Sequence, residues 1–131
     1  EEQVYFLTCL GDNDGNTEVL LKNAHSTQGV SLNYNIDDLP CFSVWKNTTA
    51  LEDGFVTGIE PGTNYPNPRT YEGAQGRFIK LDPNGSANLG LTIRFLVSEK
   101  QVAEAENRVA ELQAGGEPTI HRKPQKGWCA P

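Results

Sequence analysis

The chain has 131 residues, enough for one modest domain with a hydrophobic core and too few for two. Its formal net charge of −6 at pH 7 disfavours a nucleic-acid backbone or an anionic membrane surface as a partner. No apolar run approaches the roughly 20 residues that a membrane-spanning helix needs, so we predict no membrane partner.

The chain contains no Met and begins without a signal-peptide pattern. We therefore expect that upstream residues were removed, or that this is one piece of a longer product. The three cysteines, Cys9, Cys41 and Cys129, are far apart and lack the close pairs of a zinc site. Reduced thiols in a cytoplasmic protein are the simplest interpretation.

The first predicted strand covers residues 4–10, which are rich in β-forming side chains. It runs into residues 11–15, whose Asp-Gly step is typical of a hairpin turn. A calcium loop through Asp12 and Asp14 is the functional alternative, but the later acidic ligands of such a loop are absent. A turn is the favoured interpretation.

Three further strands are predicted at residues 18–23, 30–36 and 41–47. Residues 30–36 alternate strictly between apolar and polar side chains, which predicts one buried and one solvated face. In the run 41–47, Trp45 shares a face with the polar residues Ser43 and Asn47. An aromatic ring displayed there is either a sugar-stacking platform or ordinary sheet packing.

An alternating apolar run at residues 55–59 predicts a strand that leads into Glu60. If Ile59 faces the core, Glu60 faces the opposite side of the sheet. Pro61 cannot donate to a sheet ladder, so we expect the strand to end at the carboxylate and a loop rich in Gly, Asn and Pro to follow. Glu60 is thus either a displayed functional acid or a solvated loop acid.

Two more strands are predicted at residues 77–81 and 89–97, with a turn carrying an Asn-Gly step between them. Seven strand-like runs with frequent turn signals favour an all-β, antiparallel β-sandwich over alternating βα units. The predicted sandwich covers residues 1–97.

A short C-terminal helix is predicted over residues 98–114. Ser98 and Gln101 have capping-box spacing, and Glu104 and Arg108 are spaced as an i,i+4 ion pair. Four apolar residues recur with helical spacing, namely Val102, Ala105, Val109 and Leu112. Gly115 and Gly116 should end the helix. Residues 115–131 are predicted to form an extended tail that Trp128 pins to a surface.

The sequence contains no Gly-rich phosphate loop, nucleophile elbow or metal-binding histidine pair, so we predict no cofactor and no metal site. The two histidines, His25 and His121, are candidate proton donors or plain surface residues. Composition and periodicity alone lead only to an acidic all-β domain.

The segment around Glu60 resembles the galactose mutarotase-like (aldose 1-epimerase) superfamily, and specifically an uncharacterised branch of it. The resemblance covers about residues 4–97 and is similar to the C-terminal part of that fold. It is carried by Gly58-Ile59-Glu60-Pro61 and Asn64-Tyr65-Pro66, preceded by Leu39-Pro40 and Val44-Trp45-Lys46-Asn47. Its closing strands match residues 78–97.

The resemblance implies a carbohydrate-binding protein that interconverts sugar anomers, with Glu60 as the general base. It implies that Trp45, Lys46, Asn64 and Arg69 contact the sugar, and Arg69 would suit an acidic or phosphorylated one. The family's acid is a histidine well before its glutamate. Nothing in this chain matches that histidine segment, so catalysis would need an acid from elsewhere.

Two alternatives remain open at this stage. The chain is either a non-catalytic carbohydrate-binding module or a structural part that completes a larger sandwich. The partners to expect are therefore a small carbohydrate and either the missing N-terminal portion or a second copy of the chain. The structural alternative predicts an exposed apolar sheet and self-association.

Overall fold

The computed structural model describes residues 2–114 and 116–130. Most of its regular structure is antiparallel strand in two three-stranded sheets, with one main helix near the C-terminal end, which confirms the predicted fold class. The strands are β1 (Gln3–Leu7), β2 (Asn16–Lys22), β3 (Gly29–Asn35), β4 (Cys41–Lys46), β5 (Thr57–Gly62) and β6 (Leu91–Leu96). The helices are α1 (Arg69–Ala74) and α2 (Glu99–Gln113), with a short 3-10 turn at Leu51–Asp53.

The chain divides into two compact units. The first unit combines Leu39–Ala87 with the chain up to Cys9 and from Ile120 onward, and the second combines Leu10–Asp38 with Asn88–Thr119. Each unit contains one of the sheets. The described residues contain no helix that is long and apolar enough to cross a membrane.

The sheet of the first unit has the strand order β1-β4-β5. Its central strand, β4, is the most buried, because Cys41, Phe42 and Ser43 are each at most 4% exposed. Across the sheet, Phe6 lies opposite Ser43, and Ser43 lies opposite Glu60. Directly paired residues share a face, so this register places Glu60 on the side of Ser43.

Strand β5 does not end at Glu60, as the sequence had led us to expect. It continues through Pro61, which pairs with Phe42, to Gly62. The prediction was wrong because β5 is an edge strand, where a proline can direct its missing donor away from the sheet at no cost.

The sheet of the second unit has the order β2-β3-β6, and α2 packs against β2. A small core of Leu96, Val102 and Ala105 forms there, with Leu20 packed against it. On β3 the alternation correctly predicts the buried apolar face, but the polar face is not solvated as predicted. Leu32 is buried as expected, but Ser31 on the other face is fully buried too. Ser31 pairs with Leu20, whose face α2 covers.

Two predicted hairpins are not found. The turn at residues 11–15 forms, with the Asp12 carboxylate accepting from the backbone amides of Asp14 and Asn16, but β1 pairs with β4 and not with β2. Residues 77–81 are not a strand. The missed element is α1, which begins inside the predicted loop directly after Pro68. Pro68 is the N-cap residue of α1, and its φ of −53° is near the helical value whereas its ψ of 139° is extended.

The cap of α2 is confirmed, because the Ser98 hydroxyl accepts from the Gln101 amide at 3.3 Å. The predicted partner of Arg108 is wrong, since its guanidinium binds Glu18 on β2 and not Glu104. At the other end, Ala114 adopts the left-handed conformation (φ 46°) and closes the helix. Of the two glycines expected to end the helix, Gly115 lies outside the described residues.

Candidate active site

Glu60 projects from the edge strand β5 onto the sheet face that it shares with Ser43 and Phe6. Its side chain is exposed, and within the described part of the chain no hydrogen bond or ion pair engages its carboxylate. The carboxylate folds back over Gly58, where an added Cβ would overlap Glu60 Oε1. A side chain at position 58 would displace the flexible Glu60 carboxylate from this position, so Gly58 permits it.

Trp45 lies on the same face as Glu60 and directly opposite Gly58. The Glu60 carboxylate thus folds toward the position that faces the indole. The ring is half-buried, and its Nε1 donates a hydrogen bond to the carboxylate of Glu2. An aromatic surface beside an unengaged carboxylate can contact the apolar face of a sugar ring while the carboxylate reaches a hydroxyl.

Lys46 follows Trp45 on β4, so the alternation of the strand sends it to the opposite face. Its Nζ lies 5.2 Å from the ring centroid of Tyr5, on the face away from Glu60. The structure therefore does not bring Lys46 together with Glu60 and Trp45.

Asn64 and Arg69 lie in and after the loop that follows β5, and neither contacts Glu60. The Asn64 amide is engaged locally, because it donates to the Tyr65 carbonyl at 2.8 Å and accepts from the Thr63 hydroxyl at 3.2 Å. Arg69 is exposed at the start of α1, with its guanidinium carbon 5.3 Å from the centroid of Phe78. Their predicted contacts with a sugar stay predictions.

Sequence reasoning missed the buried carboxylate of Glu72. It is fully buried and accepts two hydrogen bonds from Arg77, at 2.6 and 2.7 Å. The Asn67 amide (2.7 Å) and the Tyr65 backbone amide (3.2 Å) supply two more. The hydrogen bonds from Arg77 outweigh burial and hold the pKa of Glu72 below its ordinary value. A carboxylate whose oxygens are bound in this way serves to position the loop.

The same network binds the C-terminal segment to the loop that follows β5. Arg77 Nη1 donates to the Gly127 carbonyl at 2.8 Å, and the Asn67 amide donates to the Trp128 carbonyl at 2.7 Å. The Tyr65 ring stacks between Phe6, with centroids 4.5 Å apart, and Trp128, at 5.5 Å. The structure therefore places Trp128 against the aromatic residue at the centre of this loop.

The two histidines do not complete the site. His25 is exposed in the turn after β2, in the second unit, and His121 is exposed in the C-terminal segment. Neither contacts Glu60. Within residues 2–114 and 116–130, no three Asp, Glu, His or Cys side chains are grouped so that they could hold a metal ion.

A groove of about 430 Å³ in the second unit lies over the pair of Glu18 and Arg108. The guanidinium donates to both Glu18 oxygens, at 2.6 and 3.0 Å. Burial would raise the pKa of Glu18, but hydrogen bonds, chiefly from Arg108, outweigh it and leave that pKa below its ordinary value. Glu18 and Arg108 satisfy each other, so this groove carries a structural ion pair.

Comparison with solved structures supports the resemblance seen around Glu60. A crystal structure of a candidate aldose 1-epimerase from Klebsiella pneumoniae subsp. pneumoniae MGH 78578 superposes with a TM-score of 0.83 at 36% sequence identity. The similarity covers 88% of this chain and 30% of that one, so the chain spans less than a third of that protein's length. A search of curated proteins found no match.

A family model provides the assignment. The domain of unknown function DUF4432 matches residues 1–95, which include all of the first sheet and the Glu60 segment. The match ends before α2 and the C-terminal segment. The chain therefore belongs to the DUF4432 family.

Proposed function

We propose that this chain is the carbohydrate-binding part of an aldose 1-epimerase-like protein, in which Glu60 is the general base. The observation that carries the proposal is the state of the Glu60 carboxylate. Glu18 and Glu72 are buried and each is bound by an arginine, whereas Glu60 is exposed, unengaged and beside Trp45. The similarity to a candidate aldose 1-epimerase supports the same reaction class.

In the proposed reaction, a Glu60 oxygen accepts the proton of the anomeric hydroxyl. The bond between the anomeric carbon and the ring oxygen then breaks, and its electron pair goes to the ring oxygen, which takes a proton from an acid. Rotation about the first carbon–carbon bond and the reverse sequence give the other anomer, with no net change in protons. The proposed role of Trp45 is to stack on the apolar face of the sugar.

The acid is the part of this reaction for which the described residues offer no group near Glu60. We propose that it comes from another segment of a longer or associated polypeptide. This makes a non-catalytic sugar-binding module the second candidate, since such a module needs the aromatic surface and not the acid. Because Cys41 and Cys129 are free thiols, the proposed location is the cytoplasm.

Exchange between sugar anomers, followed by NMR saturation transfer over aldoses and sugar phosphates in the longest available polypeptide that carries this chain, tests the proposal. We expect Glu60→Gln to abolish exchange and largely to spare sugar binding, which Trp fluorescence can follow. The matched control is Glu52→Gln, because Glu52 is an exposed glutamate of the same unit and should leave exchange unchanged. Exchange that survives Glu60→Gln would refute the catalytic role. Binding without exchange in the wild-type protein would favour the second candidate.

A further inference from the structure

The C-terminal segment, residues 125–130, makes a turn of its own. The backbone amides of Trp128 and Cys129 donate to the Gln125 carbonyl, at 3.1 and 3.4 Å. Gly127 within this turn has a φ of 87°, a left-handed conformation that glycine adopts without strain. The turn directs the Trp128 ring onto Tyr65, in the loop that follows β5, and both lie in the first unit.

Asn67 connects this segment to the buried glutamate of the first unit. Its amide nitrogen donates to both the Glu72 carboxylate and the Trp128 carbonyl, each at 2.7 Å. Its side-chain oxygen accepts from the Ala130 amide at 3.0 Å. These hydrogen bonds are partly buried, so removal of the segment would leave polar groups of the loop without partners at a cost in free energy.

The same loop lies on the sheet face that carries Glu60. Phe6 and Glu60 both pair with Ser43, so their side chains share one face of the sheet. The Tyr65 ring stacks on Phe6, and its hydroxyl donates to the Leu7 carbonyl at 3.2 Å. Tyr65 is only 5% exposed, with a ring stacked on each of its two faces.

The end of β5 depends on this loop. β5 is an edge strand, and among the described residues its backbone pairs with β4 alone. It ends at Gly62, two residues after Glu60, and the loop that holds this end begins at Thr63. A catalytic group that is displaced by about 1 Å can lose about 100-fold in rate. Movement of the loop would therefore reach Glu60 through the short end of an edge strand.

We propose that Trp128 is a positioning residue for Glu60. It holds Tyr65 on Phe6, and the held loop fixes the end of β5 and with it the carboxylate. Trp128 acts through Tyr65 and not by contact with the sugar. The inference rests on the proposed function of Glu60, and it assigns a part in that site to a segment beyond residues 1–95, which the family model matches.

Hydrogen–deuterium exchange followed by mass spectrometry tests whether Trp128 holds the loop. We expect Trp128→Ala to speed amide exchange in residues 59–68 by about 10-fold, because a stacked aromatic contact that opposes local opening is lost. Residues 41–46 of β4 should exchange as in the wild type, and Trp128→Phe should restore slow exchange because it keeps a stacking ring. The matched control is Lys126→Ala, an exposed residue of the same turn.

Unchanged exchange of residues 59–68 in Trp128→Ala would overturn the proposal. Equal acceleration of residues 41–46 would overturn it as well, because Trp128 would then stabilise the whole sheet and not the loop.

The concentration dependence of anomer exchange, in the longest available polypeptide that carries this chain, tests the consequence for Glu60. We expect Trp128→Ala to lower kcat by about 10-fold with little change in KM, because Trp45 still offers its ring to the sugar. Trp128→Phe should recover kcat. An active wild type whose kcat survives Trp128→Ala would refute the positioning role and leave the proposed function intact. A wild type without exchange would refute the proposed function, and hydrogen exchange alone would then decide whether Trp128 holds the loop.

Discussion

The two units use the same chemical device at different distances along the chain. Each buries one glutamate and neutralises it with an arginine. In the first unit the pair is Glu72 and Arg77, five residues apart, and in the second it is Glu18 and Arg108, ninety residues apart. The local pair shapes a loop, whereas the long-range pair fastens the helix α2 to the strand β2.

The two ion pairs also differ in how deeply they are buried. Glu72 has no exposed surface and the Arg77 side chain is 20% exposed, whereas the Arg108 side chain is 44% exposed over Glu18. Water screens the second pair more, so it should contribute less stability than the first. In both pairs the arginine lowers the pKa of the glutamate. Among the described residues no arginine binds Glu60, and this difference separates the proposed catalytic carboxylate from the two structural ones.

The largest expected effect is that of Arg77→Ala. This change leaves the buried Glu72 carboxylate without its main partner and should cost about 3–5 kcal/mol of unfolding free energy. Urea unfolding followed by Trp fluorescence is a selective measurement, because both tryptophans, Trp45 and Trp128, lie in the first unit. The change should also release Trp128 from its stack on Tyr65 and alter the fluorescence of the folded state.

Arg69→Ala is the control for this pair, since Arg69 is an exposed arginine whose contact is the Phe78 ring, and its loss should cost less than about 1 kcal/mol.

The dependence of stability on pH is a second test of the pair of Glu72 and Arg77. The lowered pKa of Glu72 means that its pair stabilises the fold fully above the unfolded value of about 4.3 and is lost as the pH falls through the folded value. The gap between wild-type and Arg77→Ala protein should therefore narrow below about pH 4. Equal stability at neutral pH would contradict the assigned role of Arg77.

A smaller loss is expected for Arg108→Ala, about 1–2 kcal/mol, because the pair is partly exposed although it leaves Glu18 buried. Circular dichroism at 222 nm suits this unit, since α2 is its helix and the longest one in the described residues. Lys100→Ala is the matched control. Lys100 is 3.9 Å from Glu104 in an exposed i,i+4 pair, and its loss should cost a few tenths of a kcal/mol. If the two variants unfold alike, the long-range pair does not hold the helix.

The sequence predicted what depends on neighbouring residues. The strands β2, β3 and β4 were located to within two residues, because alternation and β-propensity are local properties. Strand periodicity predicted the face that Ser43 shares with Trp45, and the pairing of β4 with β5 in the structure adds Glu60 to it. The fold class followed from the number of such runs.

What the sequence did not predict depends on residues brought together by the fold. Arg108 has an acidic residue at helical spacing, Glu104, yet it binds Glu18. The Glu18 carboxylate is buried, and a buried carboxylate without a partner would destabilise the fold more than an exposed one. Likewise, β-forming side chains at residues 77–81 predicted a strand, but Arg77 is used by Glu72 and α1 occupies the preceding loop. Lys46 is next to Trp45 in the sequence, but successive residues of a strand face opposite sides of the sheet, so the two side chains are not on the same face.

The smallest expected effect tests a feature that the sequence did predict, the cap of α2. The Ser98 hydroxyl satisfies the Gln101 amide, which has no partner within the helix, so Ser98→Ala should cost about 1 kcal/mol in the unfolding transition monitored at 222 nm. Ser98→Asp is the control, because its carboxylate keeps an acceptor at this position and favours the positive end of the helix dipole. It should therefore retain wild-type stability or exceed it. If Ser98→Ala and Ser98→Asp lose the same amount, the hydroxyl acts through some other contact. A loss confined to Ser98→Ala, with the Trp fluorescence transition unchanged, would show that the helix stabilises the second unit without affecting the first.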